Sequence, residues 1–175
     1  MQLIKAKKEH IPELVRISKA AFDSDTTVGA DAPGGPPEYD SVSWHIQMME
    51  EEHLLAAVEE GETQELVGGA IIFPDEKSRL MYIGRIFVNP KLFRRGYGIQ
   101  IMERLEELYS DYFVWELDTP AWNRRTNSFY PKLGYVETHR DGGGVYYRKV
   151  KTTPPQCTHP CATPHSDRTP SQSIQ

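Results

Sequence analysis

Apolar residues recur along this chain with two different periods, and the switches between them outline its elements. Met1 to Lys7 alternates as a strand does, whereas Ile11, Leu14, Val15, Ile17, Ser18 and Phe22 return at helical spacing and predict an amphipathic helix. A long loop from Asp23 to Tyr39 follows, holding Gly29, Pro33, Gly34, Gly35, Pro36 and Pro37. Asp40 or Ser41 can cap a second helix reaching Glu52, with Trp44, Met48 and Ile46 as its inward candidates. Three strands are expected next, His53 to Val58, Leu66 to Phe73 and Leu80 to Val88, with a turn at Pro74-Asp75-Glu76-Lys77.

Beyond the third of these strands, Ile101, Met102, Leu105 and Leu108 stripe a helix from Ile99 to Tyr109 whose other face carries Glu103, Glu106 and Glu107. Tyr112 to Leu117 reads as a strand. A short helix from Arg124 to Leu133 ends at Gly134, a residue suited to a left-handed cap, and a last hairpin pairs Tyr135 to Thr138 with Val145 to Lys149. The order is strand, two helices, three strands, helix, strand, helix, hairpin, which places the chain in the α/β (α+β) class.

With 175 residues, 38% of them hydrophobic, the chain can fill one core, and a single domain over residues 1–150 is expected. From Thr152 onward the sequence turns to Pro, Ser, Thr and Gln and offers too little apolar surface to offset its ordering entropy, so residues 151–175 read as a disordered tail. Both cysteines, Cys157 and Cys161, fall in that tail with His159 and His165, at spacings that match no usual pair of zinc-ligand hairpins. No metal site is expected.

A formal charge of -5 with both signs mixed provides no basic footprint for nucleic acid. No apolar run approaches the roughly 20 residues a membrane span needs, and the opening MQLIKAKKEH is not a secretory signal, so a cytoplasmic location is the expectation.

The segment richest in chemistry runs Ile86-Phe87-Val88-Asn89-Pro90-Lys91-Leu92-Phe93-Arg94-Arg95-Gly96-Tyr97-Gly98, from a strand straight into a helix N-terminus. Such a terminus leaves backbone N–H groups unpaired and carries partial positive charge, and Gly96 and Gly98 remove the Cβ atoms that would hold an anion away. Arg94 and Arg95 add charge that suits phosphate oxygens. The loop is neither a Walker loop, which needs Gly-Lys-Ser/Thr, nor a dinucleotide fingerprint, whose third glycine is replaced by Ile101.

A second segment, Asp118-Thr119-Pro120-Ala121-Trp122-Asn123 through Phe129-Tyr130-Pro131-Lys132-Leu133-Gly134-Tyr135, completes a pattern. Val-x-Pro followed by Arg-Arg-Gly-x-Gly, then Asn with Tyr seven residues later and Gly-Tyr after it, resembles the GNAT superfamily of N-acetyltransferases. The resemblance implies a mixed, mostly antiparallel sheet flanked by helices and acetyl-CoA as co-substrate. It implies a pyrophosphate site at Arg94, Arg95, Gly96, Tyr97, Gly98 and Ile99, and a pantetheine arm that enters between the fourth and fifth strands against the main chain of Ile86, Phe87 and Val88. The chain departs from the family at Phe93, where Gln or Arg is usual.

The same resemblance makes Tyr130 the general acid, a role its chemistry suits: an ordinary phenol, with pKa about 10, is protonated at neutral pH beside a departing thiolate of about 8.5. It can also simply pack its helix on the sheet. Asn123 can cap that helix, contact the pantetheine arm as the resemblance implies, or do both. Some relatives place a carboxylate base early on the fourth strand, but Met81-Tyr82-Ile83-Gly84-Arg85 has none. Glu116 and Asp118, two apart and therefore on one face of the next strand, are the nearest candidates, with His45, Asp31, Glu38 and Asp40 as further options.

The proline- and glycine-rich loop is placed to cover an acceptor, and its Asp31, Glu38 and Asp40 favour a cationic amine, on a small molecule or a protein. The expected activity is N-acetyl transfer by direct attack in a ternary complex, with no nucleic-acid or membrane partner, in a monomer or homodimer. A module that binds acyl-CoA without turnover is the alternative.

Overall fold

In a computed structural model that describes residues 1–61 and 64–151, the chain forms one seven-stranded mixed sheet with helices on both faces. The tail residues 152–175, with Cys157, His159, Cys161 and His165, lie outside the described residues. Strands β1 (Gln2–Lys5), β2 (Leu54–Val58), β3 (Leu66–Asp75) and β4 (Leu80–Val88) form an antiparallel run, and β5 (Val114–Thr119) joins β4 in parallel. The closing hairpin, β6 (Val136–Arg140) and β7 (Val145–Val150), inserts its second strand next to β5, giving the order β1-β2-β3-β4-β5-β7-β6.

Helix α1 (Ile11–Asp23) buries Ile11, Leu14, Ile17 and Ser18 against one face of the sheet together with α2 (Val42–Glu50), over Leu54, Ala56, Ile71 and Phe87. Buried Ser18 is satisfied by donating to the Tyr39 carbonyl at 2.7 Å, which ties the loop to α1. Ser41 is the cap of α2, accepting from the Trp44 N–H at 3.2 Å. In α2 the structure buries His45 and Met48 most completely, and Trp44 and Ile46 only partly.

The opposite face holds α3 (Tyr97–Leu108), whose Ile101, Met102 and Leu105 pack over Met81, Ile83, Trp115 and Leu117, and α4 (Arg124–Phe129). Trp115, fully buried at the centre of this second core, donates its indole N–H to the Tyr112 carbonyl at 3.0 Å.

Several boundaries move from their expected positions, each for a local reason. Helix α3 begins at Tyr97 and not Ile99, because Gly96 takes φ +83° as its N-cap and lets the chain turn into the helix earlier. The helix after Asn123 tightens into a 3-10 turn over Tyr130–Leu133, since Pro131 has no N–H for an α-helical bond, and Gly134 at φ +85° ends it. Within the loop expected from Asp23, Ser24–Thr27 forms a 3-10 turn that extends α1. Strand β3 runs on through Pro74, where the missing N–H costs nothing: β2 has already ended, leaving that side of β3 without a neighbour.

Candidate active site

The parallel pairing of β4 with β5 lasts for three residue pairs, Leu80 with Val114, Met81 with Trp115 and Tyr82 with Glu116, and then the strands part. A bulge assists the divergence: Ile71 pairs with Arg85 and Ile72 with Ile83, so Gly84 is an extra residue on β4 and bends it. Beyond Tyr82, β4 pairs only with β3, and β5 beyond Glu116 pairs only with β7. An opening in mid-sheet results, edged by main-chain groups with no strand opposite. The Asn89 N–H goes to the Val67 carbonyl of β3 at 2.8 Å; strand alternation then directs the Phe87 N–H toward β3 and those of Ile86 and Val88 into the opening.

At the C-terminal end of β4 the chain makes a short 3-10 turn at Pro90–Leu92 and enters the glycine loop. Arg94 (φ +64°) and Gly96 (φ +83°) both adopt left-handed backbone there. No side chain caps α3, so the first-turn N–H groups of Tyr97, Gly98 and Ile99 face outward without helical partners. A Cβ built on Gly96 would meet nothing nearer than the Gln100 amide at 3.9 Å, and the space in front of the helix is open. Arg94 and Arg95 are exposed at this loop. Tyr97 turns its hydroxyl away to donate to Glu59 at 2.6 Å, and Ile99 is exposed.

Asn123 is buried and both ends of its amide are engaged. Its Oδ1 caps α4 by accepting from the N–H groups of Arg125 and Thr126, each at 3.2 Å, while its Nδ2 donates to Asp25 at 3.0 Å. Asp25 also pairs with the Arg125 guanidinium. That guanidinium lies 4.5 Å from the centre of the Phe93 ring, so the aromatic departure in the glycine loop is covered by an arginine from α4. Burial pushes the Asp25 carboxyl above its ordinary value, against the pull of Arg125 and the Asn123 bond. Replacing Asp25 with Ala would leave Asn123 Nδ2 and a half-buried guanidinium unpaired. A loss of about 1–3 kcal/mol is expected, read from the urea midpoint, with a smaller loss for Asp25→Asn.

Tyr130 is 7% exposed, its ring packed edgewise on Phe129 at 5.2 Å and near Tyr135 and Tyr147. Burial first, and then the charge of Asp118, push its hydroxyl well above the usual phenol range. On the face shared with α1 and α2, Glu116 and Asp118 do point the same way. Glu116 lies 3.3 Å from the Arg148 guanidinium of β7, whereas Asp118 accepts the hydroxyl of Tyr82 from β4, across the mouth of the opening. Burial and Asp118 together push the Tyr82 hydroxyl well up. Tyr82 and Asp25 are site residues that sequence reasoning passed over; for Asp25, 98 residues distant from Asn123, no local signal exists.

His45 is fully buried. Its Nδ1 lies 2.8 Å from the Ser41 carbonyl, which places the ring proton there, and its Nε2 is enclosed with no partner among the described residues. Burial lowers its pKa, so it is neutral at pH 7. Asp31, Glu38 and Asp40 are exposed along the loop. Among the described residues there is no group of three or more His, Cys, Asp or Glu side chains able to hold a metal ion, and no helix is long and apolar enough to cross a membrane.

The family model described as Acetyltransferase (GNAT) family matches residues 15–135. No curated protein matches the chain. Among solved structures, an acetyltransferase of the GNAT family from Streptococcus agalactiae superposes with a TM-score of 0.74 at 18% identity, covering 87% of this chain and 96% of that one. The PaiA N-acetyltransferase of Thermoplasma acidophilum in complex with coenzyme A gives 0.71 at 14% identity, covering 86% and 98%. The ribosomal-protein-S18-alanine N-acetyltransferase of Escherichia coli gives 0.61 at 15%, covering 88% and 96%. At these identities the likeness is one of fold.

Proposed function

Since this chain belongs to the GNAT acetyltransferase family, we propose that it is an N-acetyltransferase that moves the acetyl group of acetyl-CoA to a primary amine within a ternary complex. The observation that carries this reading is the parting of β4 from β5 next to an uncapped helix N-terminus, which aligns a slot lined by free main-chain groups with an anion cradle. The two suit the two halves of one ligand, a polar arm and a pyrophosphate.

The residues fit that ligand. In this reading the N–H groups of Tyr97, Gly98 and Ile99 receive the pyrophosphate, with Arg94 and Arg95 supplying charge, because all three amides are free and Gly96 leaves the approach clear. The main chain of Ile86 and Val88 lines the slot, and Phe87 between them anchors the strand through its side chain, 2% exposed under α1 and α2. Asn123 works at one remove: its amide is spent on α4 and Asp25, so it positions the helix that carries Tyr130.

Bound acetyl-CoA supplies a thioester carbonyl open to attack. A C–N bond forms from the amine lone pair, the C–S bond breaks, and one proton leaves the nitrogen. The Val88 N–H is placed to stabilise negative charge developing on the carbonyl oxygen. Asp118 takes the proton, since Glu116 is already neutralised by Arg148. Tyr130 holds the departing sulfur by donating a hydrogen bond. Its raised pKa makes outright proton transfer to a thiolate unfavourable, while a strong hydrogen bond costs no proton.

Two measurements test the reading. Calorimetric titration with acetyl-CoA should give saturable one-site binding, and a panel of primary amines should then release CoA. Binding without release from any amine would favour the acyl-CoA-binding module instead, and no binding would end both. For the base, Asp118→Asn is expected to lower kcat/KM by about 10²-fold and Glu116→Gln by much less. The reverse order would reassign the role to Glu116.

A further inference from the structure

Arg85 is a charged residue in the otherwise apolar strand β4, and it has no acidic partner among the described residues. Pairing with Ile71 turns its side chain to the face of α1 and α2, the same face as Tyr82, Glu116 and Asp118. Its guanidinium lies 4.0 Å from the centre of the Trp44 ring, and its Nη2 donates to the Pro37 carbonyl of the loop. Nη1 is fully enclosed and has no hydrogen-bond partner among the described residues. Among the described residues no carboxylate lies within ion-pair distance; Glu38 is near enough only for its charge to be felt. An enclosed guanidinium nitrogen without a hydrogen-bond partner is costly. A visiting anion would satisfy it.

The stacking on Trp44 and the bond to Pro37 hold the guanidinium in one orientation before anything binds, as a recognition group must be held. Its single charge matches a singly charged carboxylate, which can take the fork, Nη1 included, once the Pro37 carbonyl yields and the loop moves aside. Along the same face lie the Tyr82–Asp118 pair and the opening between β4 and β5, where the amine has to arrive. Exposed Glu38 and Asp40 at the loop would receive an ammonium group on its way in.

We propose that Arg85 binds a carboxylate of the acceptor, so that the acceptor is a small amino acid-like zwitterion and not a simple polyamine. The placement of the amine end rests on the acetyl-transfer reading; the anion end rests on Arg85 alone, so the two can fail separately.

The test compares ω-amino acids of two to six carbons with n-alkylamines and α,ω-diamines of the same lengths, at saturating acetyl-CoA. Wild type should favour one of the amino acids over its matched amine. Arg85→Gln should raise KM for that amino acid about 10- to 100-fold with kcat nearly unchanged, leave the alkylamine as it was, and so erase the preference. Arg85→Lys should restore part of it. A preference for diamines in wild type, or an equal rise for acids and amines in Arg85→Gln, would overturn the proposal and leave Arg85 as a strap for the loop.

Should acetyl-CoA bind and no amine be acetylated, the acetyl-transfer reading fails while the Arg85 site stays measurable. Butyrate and hexanoate, titrated against the CoA-bound protein, should then change the fluorescence of Trp44, with Trp44→Phe as the control. The matching amides should not, and Arg85→Gln should abolish the response. Equal responses to acid and amide, or none to either, would overturn the proposal by this route as well.

Discussion

A Tyr130→Phe protein is expected to transfer acetyl groups about 10²-fold more slowly than wild type, with its affinity for acetyl-CoA within a factor of three. The expectation follows from the role proposed for the hydroxyl and from the packing of the ring. The ring contacts Phe129, Tyr135 and Tyr147, contacts that phenylalanine keeps, so folding should be little changed. The hydroxyl alone is lost, and with it the donor proposed for the departing sulfur. Because burial and the charge of Asp118 raise the Tyr130 pKa, the phenol keeps its proton throughout neutral and mildly alkaline solution. The kcat profile of the wild type between pH 7 and pH 9 should therefore contain no descending limb that disappears in Tyr130→Phe. A wild-type kcat in the variant would reduce Tyr130 to a packing residue.

The second large effect concerns the anion cradle. Gly96→Asp should weaken acetyl-CoA binding by about 100-fold or more, since a like charge set against a pyrophosphate costs several kcal/mol and each 1.4 kcal/mol is a factor of ten. The substitution is informative because the protein itself has room for it: the nearest atom to a Cβ at this position is the Gln100 amide nitrogen, 3.9 Å distant. What remains is the left-handed backbone at φ +83°, which costs a non-glycine residue about 1–2 kcal/mol and which Asp and Asn tolerate best. Gly96→Asn supplies the control, carrying the same backbone cost and nearly the same shape without the charge, and it should bind with intermediate affinity. If calorimetry finds Asp and wild type equal, phosphate does not approach this helix end.

The elements most legible in the sequence were those whose apolar stripe meets a core directly. The α1 pattern correctly included Ser18, a polar residue at a core position, the Gly134 cap stands where local chemistry put it, and the three-strand run β2 to β4 differs chiefly in that β3 continues through Pro74 to Asp75. The glycine loop was equally legible, since a strand followed by Arg-Arg-Gly-x-Gly carries its chemistry in consecutive residues. Less legible were features created by distance. Nothing near Asp25 announces that it will meet Asn123 and Arg125, and the insertion of β7 between β5 and β6 depends on which hairpin arm finds the free edge of β5. The early start of α3 escaped notice because its N-cap is a glycine, which offers no side-chain signal. Arg85 is different: a lone charge within Met81-Tyr82-Ile83-Gly84-Arg85-Ile86-Phe87-Val88 was visible from the outset, and its proposed role rests on an Nη1 that the structure leaves without a partner among the described residues.

The short seam between β4 and β5 also bears on how the molecule breathes. Three residue pairs join the half of the sheet built from β1 to β4 to the half built from β5 to β7, so the backbone hydrogen bonding between the halves is confined to a narrow seam, while one core beneath α3 spans both. Amide protons of Ile86 and Val88, although central in the sheet, should exchange with solvent deuterium as readily as those of a border strand. A ligand seated across the opening would slow that exchange and bridge the two sides of the seam, raising the melting temperature in proportion to the logarithm of its concentration.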